Sequence, residues 1–137
     1  MNAAQATVSA ALAAADALLN SGMLTIYSGT MPTSPETALS GNTALVTFTF
    51  AASAFAAPTY SSPNMQSVGS FTETTESPLA SGTATFARAY KSDGTTAVAD
   101  YTVTATGGGG DITLGNTGIQ TGVPVTLNSI THKMPAV

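Results

Sequence analysis

Charge is what this chain has least of. Its 137 residues include three cations (Arg88, Lys91 and Lys133) and seven acids, for a net charge of −4 and 7% charged residues, where soluble domains average about 25%. Three cations are too few to neutralise a row of phosphates, so nucleic acid is not an expected partner. Anionic membrane surfaces are not expected either, for the same reason. Cysteine is absent, which removes any disulfide framework or thiolate zinc site. No apolar run approaches the ~20 residues that cross a bilayer, and there is no Asn-x-Ser/Thr glycosylation sequon. No Lys or Arg precedes Arg88. The N-terminal stretch therefore lacks the positive region of a secretion signal and reads as structure.

What fills the chain instead is small and neutral. Ala (24), Thr (24), Ser (14) and Gly (13) account for 75 positions. The length suits one domain. Free monomers normally intersperse charges over their surface. A chain with 43% hydrophobic residues and so little charge is expected to cover much of its surface with other chains.

Residues 3–20 read as the only helix. Val8, Leu12, Ala15 and Leu19 recur at helical spacing, with Ala11 and Leu18 beside them. Asn2 is placed to cap the start, and Gly22 to take a left-handed conformation at the stop. The opposite face is also apolar and small, including Ala10, Ala13, Ala14 and Ala17. A helix apolar nearly all round tends to be buried on both sides, so residues 1–22 are expected to pack on the rest of the domain or on a neighbouring subunit.

From residue 23 the pattern is β. Residues 23–28 form a short strand before a loop through Pro32 and Pro35. Residues 43–50 alternate, with Leu45 opposite in phase to Val46, Phe48 and Phe50. Residues 51–66 are rich in Ala, Pro and Ser and read as a crossing loop, followed by a strand over 68–73. The strongest local signal is a hairpin, in which 83–91 and 95–105 alternate about a two-residue Asp93-Gly94 turn. That turn sets Phe86 opposite Tyr101 and Arg88 opposite Ala99, with Phe86, Arg88, Tyr90, Ala97, Ala99, Tyr101 and Val103 on one face. Four glycines at 107–110 break the sheet, and 111–114 and 124–134 complete it. The expected fold is mainly β: an antiparallel β-sandwich, jelly-roll-like, over residues 23–137, with one N-terminal α-helix.

Catalytic signatures are missing. The single histidine, His132, has Ser129 and Asp111 nearby in sequence but no Gly-x-Ser-x-Gly, and reads as an edge-strand imidazole. Glu73 and Glu76 sit three apart in a loop without defined geometry. Asp93, Asp100 and Asp111 match no calcium loop, and Asp93 is explained by its turn. The glycines at 107–110 lack the lysine and helix of a phosphate loop. No enzyme activity, metal or cofactor is expected. Arg88 stands apart as a charge between Phe86 and Tyr90, costly unless paired. It is expected to reach a carboxylate such as Glu36 or Asp100, or a neighbouring chain.

The run Leu18-Leu-Asn-Ser-Gly-Met-Leu-Thr-Ile-Tyr-Ser-Gly-Thr-Met-Pro with Pro35-Glu-Thr-Ala-Leu resembles small proteins encoded in the structural gene blocks of tailed bacteriophages and prophages. The segments Thr83-Ala-Thr-Phe-Ala-Arg-Ala-Tyr-Lys-Ser-Asp-Gly-Thr, Gly110-Asp-Ile-Thr-Leu and Val125-Thr-Leu-Asn-Ser-Ile-Thr are similar to the same family. The resemblance implies a virion component made in the host cytoplasm. It points first to a capsid decoration, or cement, protein on the capsid exterior, a homo-oligomer (trimer or dimer) whose partner is the major capsid protein. A tail or neck adaptor, or a fibre-associated component, is the alternative. A third is a carbohydrate-binding receptor module using Tyr27, Tyr60 or Tyr90, although the chain lacks tryptophan.

Overall fold

The structure, a computed structural model, describes residues 2–136, with the side chains at 128 and 129 outside the described set. In chain order the elements are α1 (Gln5–Ala17), β1 (Met23–Tyr27), β2 (Ala44–Phe55), β3 (Thr59–Ser61), β4 (Asn64–Phe71) and β5 (Thr75–Glu76). They continue with β6 (Gly82–Thr83), β7 (Phe86–Tyr90), β8 (Ala97–Ala105), β9 (Ile112–Leu114), β10 (Gly118–Ile119) and β11 (Val125–Pro135). The protein is mainly β with one helix. The sheet is not an open sandwich. Seven strands run β4-β2-β1-β7-β8-β9-β11, and β11 then pairs back onto β4 to close a barrel. Neighbours are antiparallel except β8 and β9, which are parallel.

Closure follows from two long strands that change partners along their length. β11 pairs β9 through Leu127–Ile130 and β4 through Thr131–Pro135. β2, twelve residues long, pairs β1 and then reaches β4 across an irregularity between Phe50 and Phe55. Bulges bend and coil strands, so a sheet built on two such strands curls round instead of splitting into two layers. Residues 51–66 are therefore mostly strand. Their small side chains carry weak β-propensity, but tertiary bonds such as Ser21 N–H to the Ala51 carbonyl and Ala56 N–H to the Val68 carbonyl hold them extended.

Side chains fill the interior. Leu24, Ile26, Val46, Phe48, Phe50, Ala87, Ala89, Val103, Ile112, Leu114 and Ile130 form one core. β7 contributes only Ala87 and Ala89, and Phe48 and Phe50 take up the volume, with Phe50 stacked on Phe71 at 4.6 Å. The total accessible surface, 6935 Å², is close to the roughly 6600 Å² expected of a compact monomer of this mass. One copy thus closes its own core; a neighbour is not needed for that.

The hairpin corrects the expected register. Near the turn the pairing is as the sequence indicates, Tyr90 opposite Ala97, but a bulge then leaves Val98 over. Beyond it the pairs are Arg88 with Asp100, Ala87 with Tyr101 and Phe86 with Thr102. A one-residue slip exchanges faces. Phe86 and Arg88 therefore lie on the outside of the barrel, while Ala99, Tyr101 and Val103 line the core side. The turn itself is longer than two residues, with Lys91 N–H bonded to the Thr96 carbonyl and the Asp93 carboxylate accepting from Thr95 and Thr96.

At the end of α1 the left-handed residue is Ser21 (φ 56°), not Gly22, and at its start Ala4 is the N-cap, without a side-chain cap from Asn2. Gly22 is required for space: a Cβ there would lie 2.4 Å from the Tyr90 carbonyl oxygen, a backbone atom that cannot swing away. Gly22→Ala is expected to cost about 1–3 kcal/mol, whereas Gly115→Ala, with nothing within 4 Å, should stay within about 0.5 kcal/mol of the parent. Urea denaturation of both variants checks this, and equal midpoints would refute the close approach.

Candidate functional site

The outer face of β1 and β7 carries a second, smaller packed layer. Tyr27 stacks on Phe86 at 5.4 Å and its hydroxyl bonds that of Tyr90 at 2.7 Å. Burial first, and this hydrogen bond second, push the Tyr27 phenol well above the usual tyrosine range. Arg88, 4% exposed, lies in the same layer. Its Nε donates to Asp100 Oδ1 at 2.7 Å and Nη2 to Oδ2 at 3.0 Å, a bidentate fork. The remaining donors reach backward over the loop between β1 and β2: Nη1 to the Thr37 carbonyl at 2.8 Å and Nη2 to the Ser34 carbonyl at 3.2 Å. Of the two carboxylates expected for Arg88, Asp100 is the partner. Glu36 is held instead by Ser34 Oγ, which draws its carboxyl below the usual range. The Asp100 bonds raise the guanidinium above its ordinary value, against the opposing effect of burial.

A second polar link ties α1 to the barrel. Val8, Leu12, Asp16 and Leu19 form the buried stripe of the helix end of the chain. Asp16 Oδ1 bonds His132 Nδ1 at 2.6 Å, and His132 Nε2 bonds the Tyr101 hydroxyl. Phe55 stacks on the imidazole at 4.1 Å, and the Tyr101 ring lies nearly parallel to it with centroids 5.4 Å apart. Burial, then the negative charges of Asp16, Asp111 and Asp100, push the Tyr101 phenol far up, so it keeps its proton. His132 does lie on a strand edge, as expected, but its two nitrogens bond Asp16 and Tyr101, so it also ties α1 to the barrel. The sequence signal was available in Asp16, an acid four residues after Leu12 on an otherwise apolar stripe.

The remaining candidates are scattered. Asp93 binds only its own turn, and three bonds from Thr95 and Thr96 draw its carboxyl down to about 2. Asp111 accepts from the backbone and hydroxyl of Thr102. Glu73 is an exposed loop acid and Glu76 lies in β5. No cluster of three or more metal-binding side chains occurs among the described residues, and the side chain of Ser129 lies outside them. Of the aromatic platforms, Tyr27 is buried and Tyr60, 41% exposed, stands alone on β3. Ala10, Ala13, Ala14 and Ala17 are all exposed on the outer side of α1, with Leu18 at 46%.

A cleft of about 580 Å³ opens beside His132 and Tyr101, rimmed by Asp111, Lys133 and Gly110. It marks a breach in the barrel wall. β9 fills the space between β8 and β11 only from Ile112 onward, where Ile112 pairs both Val103 and Ile130. No protein-family model matches the chain, no curated protein is similar to it in sequence, and no solved structure is similar to it in fold.

Arg88→Met is expected to cost about 3–5 kcal/mol, because it strands Asp100 without a counter-charge. Lys91→Met, at an exposed position, should be nearly neutral. Equal losses in thermal or urea unfolding would refute the anchor. In an NMR pH titration the Asp93 carboxyl should change state near pH 2. Since its folded value is depressed from 3.8, the turn's contribution is complete above about pH 4 and fades as pH falls towards 2. A midpoint near 4 would contradict the bonding described.

Proposed function

We propose that the chain is a structural virion protein, a non-enzymatic capsid decoration or cement component. It would clamp adjacent major capsid subunits from the capsid exterior, as a trimer or dimer. The observation that carries this reading is the outward side of α1, where Ala10, Ala13, Ala14, Ala17 and Leu18 are exposed without an intervening charge. The inward side of the same helix is committed to the barrel through Leu12, Asp16 and Leu19. A rigid, uncharged surface of small side chains lets another backbone approach closely. Single contacts of that kind are weak, but a repeating lattice multiplies them through effective concentration. The low charge content and the segments that resemble phage structural proteins support the same reading. No helix among the described residues is long and apolar enough to cross a membrane.

Copy number tests the location. Quantitative mass spectrometry of purified particles should give copies on the order of hundreds, as a shell lattice requires, whereas about a dozen would point to the tail or neck. Ala13→Glu and Ala14→Glu, at positions open in the single chain, should leave unfolding within about 0.5 kcal/mol while abolishing attachment to the particle. Attachment at parental strength would remove the helix face from the proposal.

A further inference from the structure

Closed barrels have no strand edges to offer, but this one is closed over only part of its height. Where β9 is present, its three residues bridge Val103–Ala105 of β8 and Leu127–Ile130 of β11. Before Ile112 the chain leaves the wall, turning through glycines 107–110, with positive φ at Gly107 and Gly109. Gly108 and Gly110 sit so close over Thr104 that a Cβ on either would fall within 3 Å of its side chain. Asp111 closes the last position by accepting from Thr102 N–H. Beyond that point, among the described residues, Asp100 and Tyr101 of β8 pair only with β7, and Thr131–Met134 of β11 only with β4. Two strand edges thus face each other across the cleft.

We infer that this slot is a binding site for an extended peptide segment of a partner chain, which would add a strand in line with β9, parallel to β8 and antiparallel to β11. The width is set by the molecule itself, because β9 occupies the same gap one step further along. Two facing edges spaced for one strand are satisfied together only by a backbone that donates and accepts on both sides. Three or four residues, at ~3.3 Å each, cover the unpaired stretch. The floor limits the occupant. Tyr101 and His132 already bond across it, so an inward side chain must be small, Gly, Ala or Ser. The rim carries Lys133 on one strand and Asp111 at the other edge, which favours a segment without a charge block of either sign. The inference is independent of the virion reading; loss of one leaves the other standing.

The probe is the blocked peptide acetyl-Ala-Thr-Ala-Thr-Ala-amide added to the labelled full chain. Amide shifts and slowed hydrogen exchange are expected at both edges, Asp100 and Tyr101 on one side and the 131–134 stretch on the other. The peptide with proline in place of each threonine, which lacks the alternate donors, should leave both edges unchanged. Ala15→Trp, which places a large side chain into the cleft, should abolish the response while the spectrum elsewhere keeps its dispersion. The proposal is overturned by no response at millimolar peptide, by equal responses to the two peptides, by a response on one edge alone, or by a response confined to the edge strand at 59–61.

Discussion

One surplus residue in β8 sorts the polar chemistry of this barrel. Without the bulge at Val98, Asp100 would share a face with the core and Tyr101 would share one with Arg88. With it, Asp100 turns outward to meet the Arg88 guanidinium, and Tyr101 turns inward to meet His132. Each placement fastens something beyond the sheet. Arg88 holds the loop between β1 and β2 by its carbonyls. The Tyr101–His132–Asp16 chain holds α1. A buried charge is stabilising only when its partner and its remaining donors are satisfied, so the bulge, the ion pair and the loop carbonyls stand or fall together.

This placement also changes what the low charge means. Asp16, Arg88 and Asp100 are largely withdrawn from water, and Asp93 is spent on its turn. The outer surface is left with still fewer charges than the composition suggests. Hydroxyls take their place: Thr25 bonds Thr47 and Thr75 bonds Thr126 across neighbouring strands. Threonine thus serves a strand twice, as a β-branched residue and as a neutral cross-strand partner. One copy closes its core unaided, so the scarcity of charge is a property of the folded surface and not of an unfinished core.

The class of the fold was legible from residue alternation and from the single helical period near the N-terminus, because those signals are local. The strands at 23–27 and 44–50 and the helix stripe of Val8, Leu12 and Leu19 lie where the pattern puts them. Closure was not legible, since it rests on β11 meeting β4 and β9 at different heights, a relation among distant residues. The Arg88 partner was half legible. The need for a carboxylate followed from burial, but Asp100 came opposite only through a bulge that no turn residue announces. Residues 51–66 misled for a simple reason: small side chains have weak strand preference, and tertiary hydrogen bonds overrode it. The partner of His132 was not legible. Its acid stands 116 positions away, and sequence neighbours such as Asp111 drew attention instead.

A barrel that is closed at one height and open at another would reconcile two demands on a chain that engages partners as proposed. Exposed edges invite uncontrolled pairing, and closure removes them. A protein that must still engage a partner through its backbone can keep one short gap whose length and floor select the entrant. Here β9 stops at Ile112, the glycine turn draws the chain aside, and the Tyr101–His132 bond fills the space beneath. The gap is floored by the same hydrogen-bonded link that anchors the helix.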